Sequence, residues 1–212
     1  VLHRPEPAKW WSVTPEWQGQ IAFLVGGGPS VLSQDLELLR GRHVIAINSS
    51  YQRVPFADIL FFGDLRWWLE HRVALDRFAG RIVTCRPNVP CDLTSGGRSI
   101  FSLQRQNPPG LATIATRVMF RRTSYASAIN LAVHLGVQRI VTLGLDGQAA
   151  PNGRTHHHEQ HKWVRRADSW REQRKDFATL VEPLKAAGVE LLNASPGSAV
   201  PFWPIVDLKD FV

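Results

Sequence analysis

Short apolar runs recur along the chain, separated by stretches whose apolar positions fall at helical spacing. Six of the runs read as strands, at residues 21–25, 43–47, 58–62, 81–85, 139–143 and 189–192. Most are continuously apolar instead of alternating, as expected for strands buried on both faces of a parallel sheet. Alternation of such strands with helices predicts an α/β fold: an open, mainly parallel sheet of about six strands with helices on both faces.

Three helical patterns connect the strands. Leu32, Leu36 and Leu39 mark a helix that starts near Pro29 and stops at Gly41. A second helix follows Thr123-Ser124, either of which can cap it, with Ile129 and Val133 on one face and Gly136 just past its end. A third, longer pattern spaces Trp163, Trp170, Phe177, Leu180 and Leu184 as a core-facing stripe, with Pro183 as a point of kinking or splitting. Two stretches lack periodicity: the Pro- and Trp-rich residues 1–20, expected to be a covering arm, and residues 86–111, expected to be a loop or lid. No repeat or low-complexity tract divides the chain, so residues 1–212 are expected to form a single domain.

Composition narrows the setting. Only Cys85 and Cys91 are present, at a spacing that matches neither a zinc site nor a disulfide framework, which favours a reducing cytoplasm. No apolar run approaches the roughly 20 residues that span a bilayer, and Val1-Leu2-His3-Arg4-Pro5 does not begin a signal peptide, so no membrane association is expected. The net charge of +7 favours anionic partners such as nucleotides, nucleic acid or phosphorylated sugars.

The most informative local feature is a strand running into Gly26-Gly27-Gly28-Pro29-Ser30 and then a helix. Glycines permit close backbone approach, and the free N–H groups of a first helical turn attract anions, so the turn can hold phosphates. A tight connection without a ligand accounts for the same glycines. Two familiar patterns fail: Val31 stands where the dinucleotide fingerprint needs its third glycine, and Pro29-Ser30 offers no P-loop lysine. Ligands of open α/β sheets bind beyond the carboxyl ends of the strands, which draws Asn48, Asp64 and Asp146 together with the glycine turn and with Thr123-Ser124. Taken singly, Asp64 can cap a helix, Asn48 a turn, and Asp146 its own loop.

Downstream, Arg154-Thr155-His156-His157-His158-Glu159-Gln160-His161 holds four of the eight histidines. In an extended segment His156 and His158 point the same way, whereas on a helix His158 and His161 share a face. Acid–base use is favoured over metal ligation, because no standard zinc spacing is present.

These pieces resemble a Rossmann-like group that includes bacterial CMP-sugar sialyltransferases, motility-accessory-factor glycosyltransferases and 6-hydroxymethylpterin diphosphokinase-like proteins. Phage-encoded members of that group look closer still. The matching pieces are Gly26-Gly-Gly-Pro-Ser30, Asn48, Ala57 through Asp64 with Trp67-Trp68, Thr123-Ser124 with Ala128 through Ala132, Gly144-Leu-Asp146, Gly153-Arg-Thr-His156 with His158 and His161, and Asn193 through Ser198. The resemblance implies a single Rossmann-like nucleotide-binding domain. Gly26, Gly27, Gly28, Ser30, Asn48, Thr123, Ser124 and Asp146 would hold a CMP- or UDP-type sugar donor, and His156, His158, His161 or Asp64 would remove a proton from an acceptor hydroxyl. Tyr125 replaces the glycine expected after Thr-Ser and puts bulk where the donor approaches. The implied activity is that of a cytoplasmic glycosyltransferase, in the host cytoplasm if the chain is phage-encoded. Lys162, Arg165, Arg166, Arg171, Arg174 and Lys175 admit DNA with a modified base as the acceptor, although Asp168, Glu172 and Asp176 interleave them as on a solvated helix. The alternatives are a diphosphokinase with Mg²⁺ on Asp64 or Asp146, and a nucleotide- or nucleic-acid-binding protein without chemistry.

Overall fold

The structure is a computed structural model that describes residues 10–86, 99–158 and 169–212. In chain order its strands are β1 (Ile21–Val25), β2 (His43–Ile47), β3 (Ile59–Phe62), β4 (Arg81–Thr84), β5 (Ile100–Ser102), β6 (Gln104–Gln106), β7 (Arg117–Met119), β8 (Arg139–Leu143) and β9 (Glu190–Asn193). Seven form one all-parallel sheet ordered β5-β4-β3-β2-β1-β8-β9, and β6 pairs with β7 in a separate small sheet. The chain steps outward from β1 to β5, then crosses to the other side of β1 for β8 and β9. The switch point therefore lies between β1 and β8, whose registers run from Ile21 opposite Arg139 to Val25 opposite Leu143.

Both faces of this Rossmann-like α/β sheet are covered. The α-helices are α1 (Leu65–His71), α2 (Ser124–His134), α3 (Ser169–Ala178) and α4 (Val181–Ala186). On one face Ile129, Ala132, Phe177 and Leu184 from α2, α3 and α4 pack with Leu24, Ile45 and Phe61 of the strands. On the other, Trp67 of α1 joins Leu36, Leu39 and Leu75 from short 3-10 turns over Phe23, Leu60 and Phe62. Burial from both sides explains why the six expected strands appear close to their expected bounds.

Three expectations change. The helix expected from Pro29 to Gly41 is two 3-10 turns, Pro29–Ser33 and Leu36–Leu39, separated by an extended break at Gln34. The side chain of Asp35 restarts the chain by accepting from Glu37 N, while the Gln34 side chain reaches Ala194 O at 2.9 Å. Leu36 and Leu39 are buried, but Leu32 is 44% exposed, so the apparent helical spacing is broken at its first member. The long third pattern is divided into α3 and α4, and Pro183 sits in the first turn of α4, where the missing N–H has no intrahelical partner to lose. Trp163 lies outside the described residues. Finally, the stretch expected to be a loop or lid at 86–111 contributes the sheet-edge strand β5 and the strand β6, while residues 87–98 lie outside the described residues.

The expected second helix is α2. Thr123 caps it by accepting from Tyr125 N at 3.1 Å, and Gly136 follows its end with φ +86°. Of the stretch 1–20, residues 1–9 lie outside the described residues; further on, Trp17 stacks on His43, and Trp11 N donates to Ser102 O at 2.9 Å on the outer side of β5.

Candidate functional site

At the carboxyl edge of the sheet a cleft of about 640 Å³ collects residues from one strand end after another. Gly27 and Gly28 follow β1, Asn48 follows β2, Asp64 follows β3, Arg86 follows β4, and Asp146 follows β8; Thr123, Ser124, His156 and His158 complete the expected set along its walls. Residues as far apart in sequence as Gly27 and His158 thus meet at one site. Gly26 and Ser30 are not among the lining residues, and His161 lies outside the described residues.

The glycine turn serves the fold first. Ser30 donates through both its backbone N–H, 2.9 Å from Asp146 Oδ2, and its hydroxyl to Asp146 Oδ1. The carboxylate of Asp146 therefore occupies the position that a phosphate would take at the start of a helix, and no α-helix follows to supply a dipole. Gly28 is required by this arrangement, because a β-carbon there would lie 2.6 Å from Asp146 Cγ and 2.5 Å from Gly144 O. Gly26 is required by another neighbour: its β-carbon would lie 2.2 Å from the Tyr125 ring. Among the residues expected to cradle phosphates, the N–H groups of Gly26, Gly28 and Ser30 donate to Leu143 O, Gly144 O and Asp146 Oδ2 in this structure.

Tyr125 closes the crevice at the switch point. Its ring is buried, and its hydroxyl lies within donating distance of two strand-end carbonyls, Leu24 O at 2.8 Å and Leu143 O at 3.0 Å. Burial holds the phenol well above its ordinary pKa, so it stays a neutral donor. Tyr125, which the resemblance puts where the donor approaches, lines the cleft and ties β1 to β8 through its hydroxyl.

Asp146 is braced from behind by the loop after β9. Ser195 Oγ accepts from Leu145 N at 2.9 Å, Ser198 Oγ donates to Leu145 O at 2.6 Å, and Ala199 N donates to Asp146 O at 2.7 Å. The Asn193 through Ser198 segment is thus a support for the Asp146 loop. Burial raises the Asp146 pKa, and the two Ser30 donors oppose that rise. Asp64 has the capping role open to it from sequence: its Oδ1 accepts from Arg66 N at 2.7 Å at the start of α1.

The histidine segment is stitched to the glycine turn by His157, whose N–H donates to Gly27 O at 2.9 Å. His156 and His158 line the cleft with ring centres 4.9 Å apart, which is the extended-chain geometry. Thr155 Oγ1 lies 2.8 Å from His156 Nδ1 and fixes that ring. His157 turns the other way and is buried, with Nε2 3.1 Å from Ser50 Oγ. Burial, then the positive neighbours His158, Arg53 and Arg154, push its pKa down to about 4.

Asn48 differs from all of these. It is the one non-glycine residue with positive φ among the described residues, at +52°, and its Oδ1 is buried without a hydrogen-bond partner. A backbone held in a sparsely populated region and an unmet acceptor on a cleft wall coincide in one residue.

Sequence reasoning singled out Arg121 and Arg122 as candidate partners of a phosphate but missed Arg86 and Arg105, which also line the cleft. Arg105 on β6 donates through Nε to Cys85 O and through Nη2 to Gly63 O, both at 2.7 Å, and its guanidinium lies 3.8 Å from the centre of the Phe120 ring. Arg86 and Arg121 line the same end. Nothing local in Gln104-Arg105-Gln106 announces this, because the partners come from β3 and β4. Arg122, in contrast, is neutralised by Asp176 at 2.9 Å and Glu172 at 3.1 Å. Among the described residues no group of three or more His, Cys, Asp or Glu side chains is placed to hold a metal ion. No described helix is long and apolar enough to cross a membrane.

No known family profile matches the chain, and no curated protein is similar to it in sequence. Among solved structures, the chain is similar to the sialyltransferase CstII from Campylobacter jejuni in complex with a substrate analogue, CMP-3FNeuAc. The two are 12% identical over 88% of this chain and 86% of that chain, with a TM-score of 0.49.

Proposed function

We propose that the chain is a nucleotide-sugar-dependent glycosyltransferase. The observation that carries this reading is Asn48, which lines the cleft that also holds His156 and His158 and whose buried Oδ1 has no hydrogen-bond partner. A buried acceptor without a donor costs about 1–3 kcal/mol, and a base amine or ribose hydroxyl of a bound nucleotide removes that cost. The half-buried Ser124 at the start of α2, together with Arg121, receives the donor phosphate in place of the glycine turn.

His156, oriented by Thr155, takes the proton of an acceptor hydroxyl as that oxygen attacks the anomeric carbon. The bond from the anomeric carbon to the phosphate oxygen breaks, and the nucleotide leaves with the electron pair. A base of this kind contributes roughly 10²- to 10⁴-fold, and holding the reactants in place contributes much of the remainder. His158 stands beside it. Asp64 and Asp146 are committed to backbone N–H groups, which makes them poor candidates for the base and removes support from the Mg²⁺-dependent diphosphokinase alternative. Along α3, Glu172 pairs with Lys175 and lies 3.8 Å from Arg171, so the helix face is interleaved with acid as on a solvated helix and adds no support for a DNA acceptor.

Radiolabelled CMP- and UDP-sugars test the reading. Slow donor hydrolysis without acceptor, and its loss in His156→Ala, are expected. Absence of turnover from every donor, together with no calorimetric binding of CMP or UDP, overturns it.

A further inference from the structure

The charges along the cleft are unevenly distributed. The end at β1 and β8 carries Asp146, whose carboxylate is satisfied by Ser30. The end beyond β3 and β4 carries Arg86 and Arg105, and among the described residues no carboxylate pairs with either. Adjacent parallel strands lie about 4.8 Å apart, so β1 and β4, three steps from each other, put these ends roughly 14 Å from one another. That distance leaves room for two ligands side by side.

Arg105 is preorganised. Two of its five N–H donors are spent on the neutral carbonyls of Cys85 and Gly63, which orient the guanidinium without cancelling its charge, and Phe120 supports one face. Three donors and a full positive charge remain. Arg86 is anchored by its backbone N–H on Thr84 Oγ1 at 3.1 Å, and its Nε is buried with no partner. An unmet buried donor on one guanidinium and a second, fixed guanidinium lining the same cleft are the elements of a fork for a planar or tetrahedral oxyanion.

We infer that the β3–β4 end of the cleft is a subsite for an anionic group, a carboxylate or a phosphate, carried by the hydroxyl-bearing acceptor. The inference rests on the glycosyltransferase reading for the word acceptor, and on Arg86 and Arg105 for the anion. Charge at this position selects among acceptors that share a hydroxyl, because a neutral sugar leaves both guanidinium groups desolvated and unpaired.

Calorimetric titration with glucose 6-phosphate, glucuronate and glucose, with CMP and UDP in parallel, tests it on the whole chain. Binding of at least one of the two anionic sugars, and at least tenfold weaker binding of glucose, is expected. Which anion binds more tightly identifies the group. Arg86→Gln and, separately, Arg105→Lys are each expected to weaken the anionic sugar about tenfold while nucleotide binding stays within threefold. Arg105→Lys keeps a cation over Phe120, so it guards against simple misfolding, which circular dichroism checks. Equal binding of glucose and both anions, or arginine variants that weaken nucleotide and anion alike, overturns the subsite. Anion binding without any nucleotide binding leaves the subsite standing and removes the glycosyltransferase reading instead.

Discussion

The two ends of the cleft are built on opposite rules. Where β1 meets β8, each polar group described above has a protein partner: Ser30 with Asp146, Tyr125 with Leu24 and Leu143, His157 with Gly27 and Ser50. From β2 to β4 the acceptor of Asn48 and the Nε of Arg86 have none. Satisfied polarity is what a fold requires, and unmet polarity costs stability unless something else supplies the partner. On the function proposed above, the glycine-rich turn, the most conspicuous motif in the sequence, belongs to the architecture, and the less conspicuous asparagine and arginines belong to binding.

The comparison has sharp consequences for the closed end under acid. His157 has a pKa of about 4 in the folded protein against an ordinary value near 6.5, so the unfolded chain binds the extra proton first. Its contribution to stability is complete above about pH 6.5 and is lost as pH falls toward 4, a change of about 3 kcal/mol. Urea unfolding between pH 7 and 4 is expected to show this loss in the wild type and a much shallower slope in His157→Gln. Equal slopes would remove His157 from the account.

At the other end, Asn48→Gly is expected to lower donor-sugar turnover about 10²-fold, equivalent to about 2.7 kcal/mol. Because glycine accepts positive φ freely, folding stability is expected to stay within about 1 kcal/mol. A stability loss that accounts for the lost turnover would place Asn48 with the architecture. Gly28→Ala makes the converse case: its new methyl group presses on Gly144 O and Asp146, costing about 1–3 kcal/mol in a denaturation experiment. Nucleotide affinity of the fraction that folds should be little changed. Tyr125→Phe should have the smallest effect, about 1 kcal/mol, since Leu143 O retains the Gly26 N–H as a second partner at 2.8 Å. An unchanged nucleotide affinity in that variant is expected, and a large drop would mean that Tyr125 faces the ligand.

Much of the fold was legible because burial on both faces writes itself into the sequence as unbroken apolar runs, as at residues 21–25 and 139–143. The edge strand β5 escaped notice: Ile100-Phe101-Ser102 is three residues long, one of them polar, amid Pro, Gly and Gln. The first helix was misread because Leu36 and Leu39 suit a 3-10 turn as well as an α-helix, and the break at Gln34 is made by a contact with Ala194 that no local pattern encodes. For the site, the rule that ligands gather at strand ends named Asn48, Asp64, Asp146 and Thr123-Ser124, which line one cleft, while His156 and His158 were singled out by the His-rich segment alone. Their division of labour was not legible, because it depends on pairs such as Ser30 and Asp146 that are far apart in the chain. Arg105 was hidden for the same reason.

The sheet has two outer strands, and each is met on its open side by a neighbouring segment. Trp11 N bonds Ser102 O beside β5, while Asn193 N bonds Pro204 O and Val206 N bonds Asn193 O beside β9. An uncovered parallel edge is a template onto which another molecule can add its own strand. These few contacts act as stoppers against such stacking, so clipping away the segment around Trp11 is expected to leave the cleft intact and to increase self-association, as read by sedimentation velocity.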